Sequence, residues 1–196
     1  MSRIEVKLTG FGGQGIVLSG IILARAAMHD EKGVVQTQSY GPEARGGACR
    51  SEVVISDETI HYPLIEEADI LVAMSQEALD KHISSIKKGG MLIIDSDTVS
   101  RIPEKSEVEV NRVASTGIAS EKLGKVIVAN IVMLGALMSL TGIVSKVAME
   151  KAVKESVPRG TEEINLRALE EGYLHAQKSR IKGLKGKTES KEKEGK

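Results

Sequence analysis

The sequence predicts an α/β protein: a Rossmann-like, mostly parallel sheet flanked by helices, followed by a helical C-terminal part. Three observations carry this prediction. A Gly-rich turn, Thr9-Gly10-Phe11-Gly12-Gly13-Gln14-Gly15-Ile16, separates a short alternating strand from an amphipathic helix. Two continuous apolar runs, Asp69–Met74 and Gly90–Asp95, have the pattern of strands buried on both faces of a parallel sheet. Beyond residue 114 the periodicity becomes helical.

The first strand is Ile4–Leu8, and the helix that follows runs from Ile16 to Met28. Val34–Gln38 reads as the second strand and the β-branched Ser51–Ser56 as the third. Between the two apolar runs, Leu79, Ile83 and Ile86 recur at helical spacing and predict a helix over Gln76–Lys87. Glu107–Val110 reads as a short later strand. Helices are then expected over Ala119–Leu123, Asn130–Leu140, Ser145–Ser156 and Thr161–Gln177. Ser145 is suited to an N-cap, and Thr161 sets a capping hydroxyl before the acidic pair Glu162-Glu163. From Lys178 to Lys196 apolar residues almost vanish, so residues 1–177 are expected to form one domain and the rest a charged, disordered tail.

Length and composition narrow the function. The chain has 196 residues, 41% of them hydrophobic, enough for one full core and too few for two large domains. Its 27 basic and 27 acidic residues balance, which argues against a nucleic-acid groove. The lone Cys49 excludes an internal disulfide and a multi-cysteine cluster, and it suits a reducing cytoplasm. No apolar run precedes Ile4, which argues against a signal peptide. Val126–Met138 is the most apolar stretch, but Asn130 interrupts it and it is short for a membrane span. It reads as a buried strand end and a core helix. With no Trp and only Phe11, Tyr40, Tyr62 and Tyr173, flat stacking platforms for bases or flavins are not expected.

Two loops are candidate sites. Gly10, Gly12, Gly13, Gln14 and Gly15 lie where a chain turns from strand into helix. Missing side chains there let backbone N–H groups approach a phosphate, and the helix dipole favours negative charge. The spacing Gly-x-Gly-x-x-Gly also matches a dinucleotide fingerprint. That fingerprint needs an Asp or Glu at the end of the second strand to hold ribose hydroxyls. Here Gln36, Thr37, Gln38 and Ser39 stand instead, and Asp30 and Glu31 come too early. The plain alternative is a tight turn with no ligand. The second loop is Ser39-Tyr40-Gly41-Pro42-Glu43-Ala44-Arg45-Gly46-Gly47-Ala48. Arg45, flanked by small residues, suits a carboxylate or a phosphate, and Glu43 suits pairing with Arg45 or with a partner chain. Both loops are expected at one sheet edge. His29, His61, His82 and His175 form no spaced metal pair, Cys49 reads as a small core residue, and Asp95 and Asp97 read as caps. No catalytic triad and no metal-ligand set is recognisable.

Taken together, Gly10–Gly15, Ser39–Gly47, Ala68–Ala73 and Ala129–Ala136 occur in an order that resembles the gamma subunit of 2-oxoacid:ferredoxin oxidoreductases, nearest the 2-oxoglutarate type. The resemblance covers about residues 3–177 and so spans a pyruvate/ketoisovalerate oxidoreductase gamma-type domain. It implies a reaction in which a 2-oxoacid and coenzyme A give acyl-CoA and CO2 while ferredoxin is reduced. It implies thiamine diphosphate with Mg2+ and iron–sulfur clusters, which alpha, beta and delta type partner subunits must supply. The chain has too few cysteines for a cluster and no Gly-Asp-Gly thiamine-diphosphate motif. The resemblance further implies that Gly10, Gly12, Gly13, Gln14, Gly15, Tyr40, Glu43, Arg45, Gly46 and Gly47 contact coenzyme A or a partner subunit. Alternative readings are a pyruvate, 2-oxoisovalerate or indolepyruvate enzyme, or a stand-alone NAD(P)-binding oxidoreductase.

Overall fold

A computed structural model describes residues 3–40, 48–103 and 107–194, with side chains described as far as Arg180 in the last helix and Tyr40 and Ala48 described through their backbone. Its centre is a six-stranded sheet in the order β2-β3-β1-β4-β5-β6. The strands are β1 (Arg3–Phe11), β2 (Gly33–Tyr40), β3 (Ala48–Ser56), β4 (Ala68–Ala73), β5 (Ile86–Asp95) and β6 (Glu109–Val113). β1 pairs parallel with β4, β4 with β5, and β5 with β6. β3 is the exception, antiparallel to both β1 and β2. Five of the six strands therefore run the same way, and the sheet is mixed because β3 lies between β1 and β2.

The helices are α1 (Ile16–His29), α2 (Gln76–His82), α3 (Ser115–Gly117, continuing as a wider turn over Ile118–Lys122), α4 (Ala129–Thr141), α5 (Lys146–Ser156) and α6 (Glu162–Glu194). The strand side chains divide by parity. Val6, Leu8, Val53, Ile55, Ile70, Val72 and Ile93 face the core under α1, α4 and α5. Leu71, Ala73, Leu92 and Ile94 face the other way, against Leu79 of α2. α4 is buried on every side from Ala129 to Met138, as expected for an apolar helix without a polar face. It lies so close to α6 that a Cβ on Gly172 would fall 1.8 Å from the Val132 carbonyl oxygen, and one on Gly135 2.0 Å from that of Leu169. Only glycine permits that approach from both sides.

Several boundaries differ from the sequence expectation. α2 ends at His82, and Ile83–Ser85 forms a 3-10 turn, while Ile86 and Lys87 belong to β5. Ile86 pairs with Ala68 across the sheet, and that ladder overrides the helical spacing of Ile83 and Ile86. The later strand begins at Glu109 rather than Glu107, because Glu107 takes a left-handed turn at φ 74° and its carbonyl accepts the Gly89 N–H. Val126–Val128 is a 3-10 turn with Val126 and Ile127 exposed, not a buried strand end. α6 continues beyond Gln177 to Glu194. No helix among the described residues is long and apolar enough to cross a membrane.

Candidate functional site

The turn between β1 and α1 is assembled from its own side chains and from two distant elements. Gln14 folds back so that its Oε1 accepts the Phe11 N–H at 2.9 Å, while its Nε2 donates to the Met74 carbonyl at 2.6 Å. The Met74 N–H in turn donates to the Thr9 carbonyl. The turn is thus stapled to the C-terminal end of β4. Gly10 makes the fold-back possible, since a Cβ there would sit 2.5 Å from Gln14 Oε1 and 2.7 Å from Ile16 Cδ1.

Gly15 starts α1 in the left-handed region, at φ 71° and ψ 23°, a backbone state that glycine adopts without strain. Asn130, buried at the start of α4, donates from Nδ2 to the Gly15 carbonyl at 3.2 Å and reaches Ser19 Oγ at 3.3 Å. α1 has no side-chain N-cap and no acidic residue in its first turn. Its leading N–H groups and the positive end of its dipole are therefore not engaged by this helix's own side chains, an arrangement that suits an anion.

The strands that flank the second loop in sequence end at this edge. Phe11 pairs with Ala48, and Tyr40 pairs with Cys49, so both strand ends that anchor residues 41–47 stand beside the Gly-rich turn. Glu43, Arg45, Gly46 and Gly47 lie outside the described residues, as does the side chain of Tyr40. Gly10, Gly12, Gly13, Gln14 and Gly15 are brought together in one turn. Cys49 is buried under α1, and burial pushes its thiol up from the ordinary range. That is the environment of a core residue rather than of a nucleophile.

The remaining polar residues have structural work. Asp95 is fully buried, accepting from Thr116 Oγ1 at 2.6 Å and from the Asp97 N–H at 3.2 Å. Asp97 Oδ2 accepts the Gly117 N–H at 2.6 Å and so caps the helical segment after β6. His29 pairs with Glu155 at 2.9 Å. His82 is buried, and that burial, with the neighbouring Lys7 and Arg50 cations, depresses it to about 4. Among the described residues no group of three His, Cys, Asp or Glu side chains is placed to hold a metal ion. The residue missed from sequence is Asn130. Its signal was present, a single amide within the most apolar stretch of the chain.

The geometry also bears on dinucleotide binding. In the fingerprint fold the acid that holds the ribose ends the strand next to β1. Here that neighbour is the antiparallel β3, and β2 ends in Gln38, Ser39 and Tyr40.

Comparison with known proteins agrees with the fold. Residues 5–174 match the family model described as pyruvate ferredoxin/flavodoxin oxidoreductase. The chain is 58% identical, over 87% of its length and 92% of the relative's, to 2-oxoglutarate synthase subunit KorC of Methanocaldococcus jannaschii. The solved gamma subunit of a keto/oxoacid ferredoxin oxidoreductase from Geobacter sulfurreducens is 45% identical, with a TM-score of 0.79 over 88% of this chain and 98% of that one. A 2-oxoglutarate:ferredoxin oxidoreductase chain from Magnetococcus marinus shares the fold at a TM-score of 0.81 and 21% identity, and this chain spans 31% of it. With the family model covering most of its length and relatives of this identity matched almost end to end, the chain belongs to the pyruvate ferredoxin/flavodoxin oxidoreductase family.

Proposed function

We propose that this chain is the gamma subunit of a multi-subunit 2-oxoglutarate:ferredoxin oxidoreductase. The complex converts 2-oxoglutarate, coenzyme A and oxidised ferredoxin to succinyl-CoA, CO2 and reduced ferredoxin. The observation that carries the reading is the near full-length likeness to three methanogen chains named KorC, well above the likeness to ketoisovalerate and pyruvate oxidoreductase subunits. Those weaker likenesses leave pyruvate, 2-oxoisovalerate and indolepyruvate as the substrates to compare against.

In such a reaction thiamine diphosphate stabilises the carbanion left by decarboxylation, and iron–sulfur clusters accept the electrons. The residues of this chain fit neither group. A cluster needs several thiolates, and the one cysteine is buried in the core. Partner subunits of alpha, beta and delta type are the proposed holders of thiamine diphosphate, Mg2+ and the clusters, and ferredoxin docks on the assembled complex. The share of this chain is to present the Gly10–Gly15 turn and the residue 41–47 loop at one edge. There they meet either the phosphates of coenzyme A or a partner's carboxylate. Gln14 and Asn130 hold the turn in position for either contact.

Reconstitution tests the reading. The chain is co-expressed with its sister subunits, and ferredoxin reduction is compared with 2-oxoglutarate, pyruvate, 2-oxoisovalerate and indolepyruvate. Higher kcat/KM with 2-oxoglutarate is the expected result. A complex that prefers another acid moves the assignment to that enzyme, and a chain that purifies alone with tightly bound NAD(P) overturns it.

A further inference from the structure

The sheet face under α2 changes character across its width. Beneath β4 and β5 it is apolar, with Leu71, Ala73, Leu92 and Ile94. Toward the Thr9, Arg50 and Ser39 end of β1, β3 and β2 it is polar, because Lys7 stands opposite Glu52, Thr9 opposite Arg50, Thr37 opposite Glu52 and Ser39 opposite Arg50. Directly paired residues of an antiparallel ladder project to the same face.

The charges on this polar part do not balance. Lys7 Nζ lies 3.2 Å from Glu52 Oε1, and Arg50 Nε lies 3.9 Å from the same oxygen. Glu52 Oε2 takes the Thr37 hydroxyl at 3.4 Å, and Lys7 also donates to Ser85 Oγ at 3.1 Å. Two cations thus share one carboxylate, and Lys7 and Glu52 are more than nine-tenths buried. The buried Lys7 and Glu52 compensate each other, so the surplus positive charge falls on Arg50. Among the described residues the Arg50 guanidinium has no ionic partner nearer than Glu52, and its side chain is 45% exposed. The neutral His82 of α2 lies within the field of Lys7, Arg50 and Glu52. Arg50 and the exposed Ser39 lie one residue short of Tyr40, where β2 meets the candidate-site edge.

We propose that Arg50 and Ser39 form an anion-binding subsite on the α2 face of the sheet, built to take a phosphate group. The guanidinium supplies a planar fork of N–H donors and the uncompensated charge, and the Ser39 hydroxyl a further donor. This subsite is separate from the backbone turn at Gly10–Gly15, since Cys49 and Gly10 project to the opposite face of the same two strands. It does not depend on the proposed reaction.

The test is residue-resolved NMR on the full chain, titrated with inorganic phosphate at constant ionic strength. The expected result is a saturable shift of the Arg50 Nε–Hε signal. R50Q weakens the affinity by about tenfold or more, and R50K, which keeps a point charge but not the fork, falls between. The source of the phosphate is read in a second arm. Adenosine 3′,5′-bisphosphate binding more tightly than inorganic phosphate identifies a nucleotide arm, and equal affinity identifies free phosphate. A shift at Arg50 that does not saturate, or an unchanged midpoint in R50Q, overturns the subsite. A shift confined to the Gly12–Gly15 amides also overturns it while leaving the turn as an anion site.

Discussion

Asn130 and Gly15 are 115 residues apart in sequence, yet the Asn130 amide donates to the Gly15 carbonyl at 3.2 Å and lies where a Gly15 side chain would be. The start of α1 is thereby positioned by the start of α4. Asn130→Ala should cost about 1–3 kcal/mol, the usual penalty for removing a buried hydrogen-bond partner. Gly15→Ala should cost more than about 2 kcal/mol. It adds a left-handed backbone penalty to a Cβ lying 2.5 Å from Asn130 Nδ2. Urea unfolding of both variants checks the order.

Gln14→Ala should act on the turn more than on the fold. It removes the bonds to the Phe11 N–H and the Met74 carbonyl, worth about 1–2 kcal/mol together because the site is partly solvated. Amide exchange should quicken at Phe11–Gly15 and stay unchanged in β4 and β5. Protection lost across the whole sheet would show that the staple holds the core instead.

Stability should fall on mild acidification because of His82. Its folded pKa, about 4, lies below the ordinary histidine value near 6.5, so between those pH values the unfolded chain binds the proton and the folded chain does not. Stability is complete above about pH 6.5 and declines toward pH 4. The loss from pH 7 to pH 5 is about 2 kcal/mol from this residue. His175 is lowered too, chiefly by burial, and adds in the same direction. His82→Gln should flatten the decline, as measured by urea midpoints at both pH values.

Arg45→Ala, in the loop between β2 and β3, should impair the assembled enzyme more than the fold. A lost charge-assisted contact costs on the order of 1.5–3 kcal/mol, or roughly 10- to 100-fold in affinity. A raised KM for coenzyme A identifies a ligand contact, and weakened assembly on gel filtration identifies an interface contact. A mutant chain that unfolds, while what assembles works normally, makes Arg45 structural.

Removing Lys178–Lys196 should shift the melting temperature by less than about 2 °C. Ala176 is the last side chain of α6 in the described core, and Lys178, Ser179 and Arg180 are exposed. A larger drop would show that the rest of α6 docks on the domain.

The strands and helices of the core were legible because their periodicity is strong and their turns carry glycine. Ser145, read as an N-cap, does accept the Ala148 N–H at 3.1 Å. The parts that were not legible depend on pairing between distant segments. Ile86 looked helical by spacing, but strand pairing with Ala68 claimed it. Lys7 alternates with apolar residues along β1, yet it is 4% exposed and pairs with Glu52 across β1 and β3. The insertion of β3 between β1 and β2 has no local signature, since both strands read alike whichever way they point. At the site, the glycines announced the turn, whereas the brace from Asn130 needed the packing of α4 on α1.

The antiparallel placement of β3 makes β2 and β3, consecutive in sequence, direct partners in the sheet. Their eight pairs, Gly33 with Ser56 through Tyr40 with Cys49, set the register of the two strands against each other without help from any helix. Substitutions in the sequence that joins the two strands should therefore leave the register of the sheet unchanged.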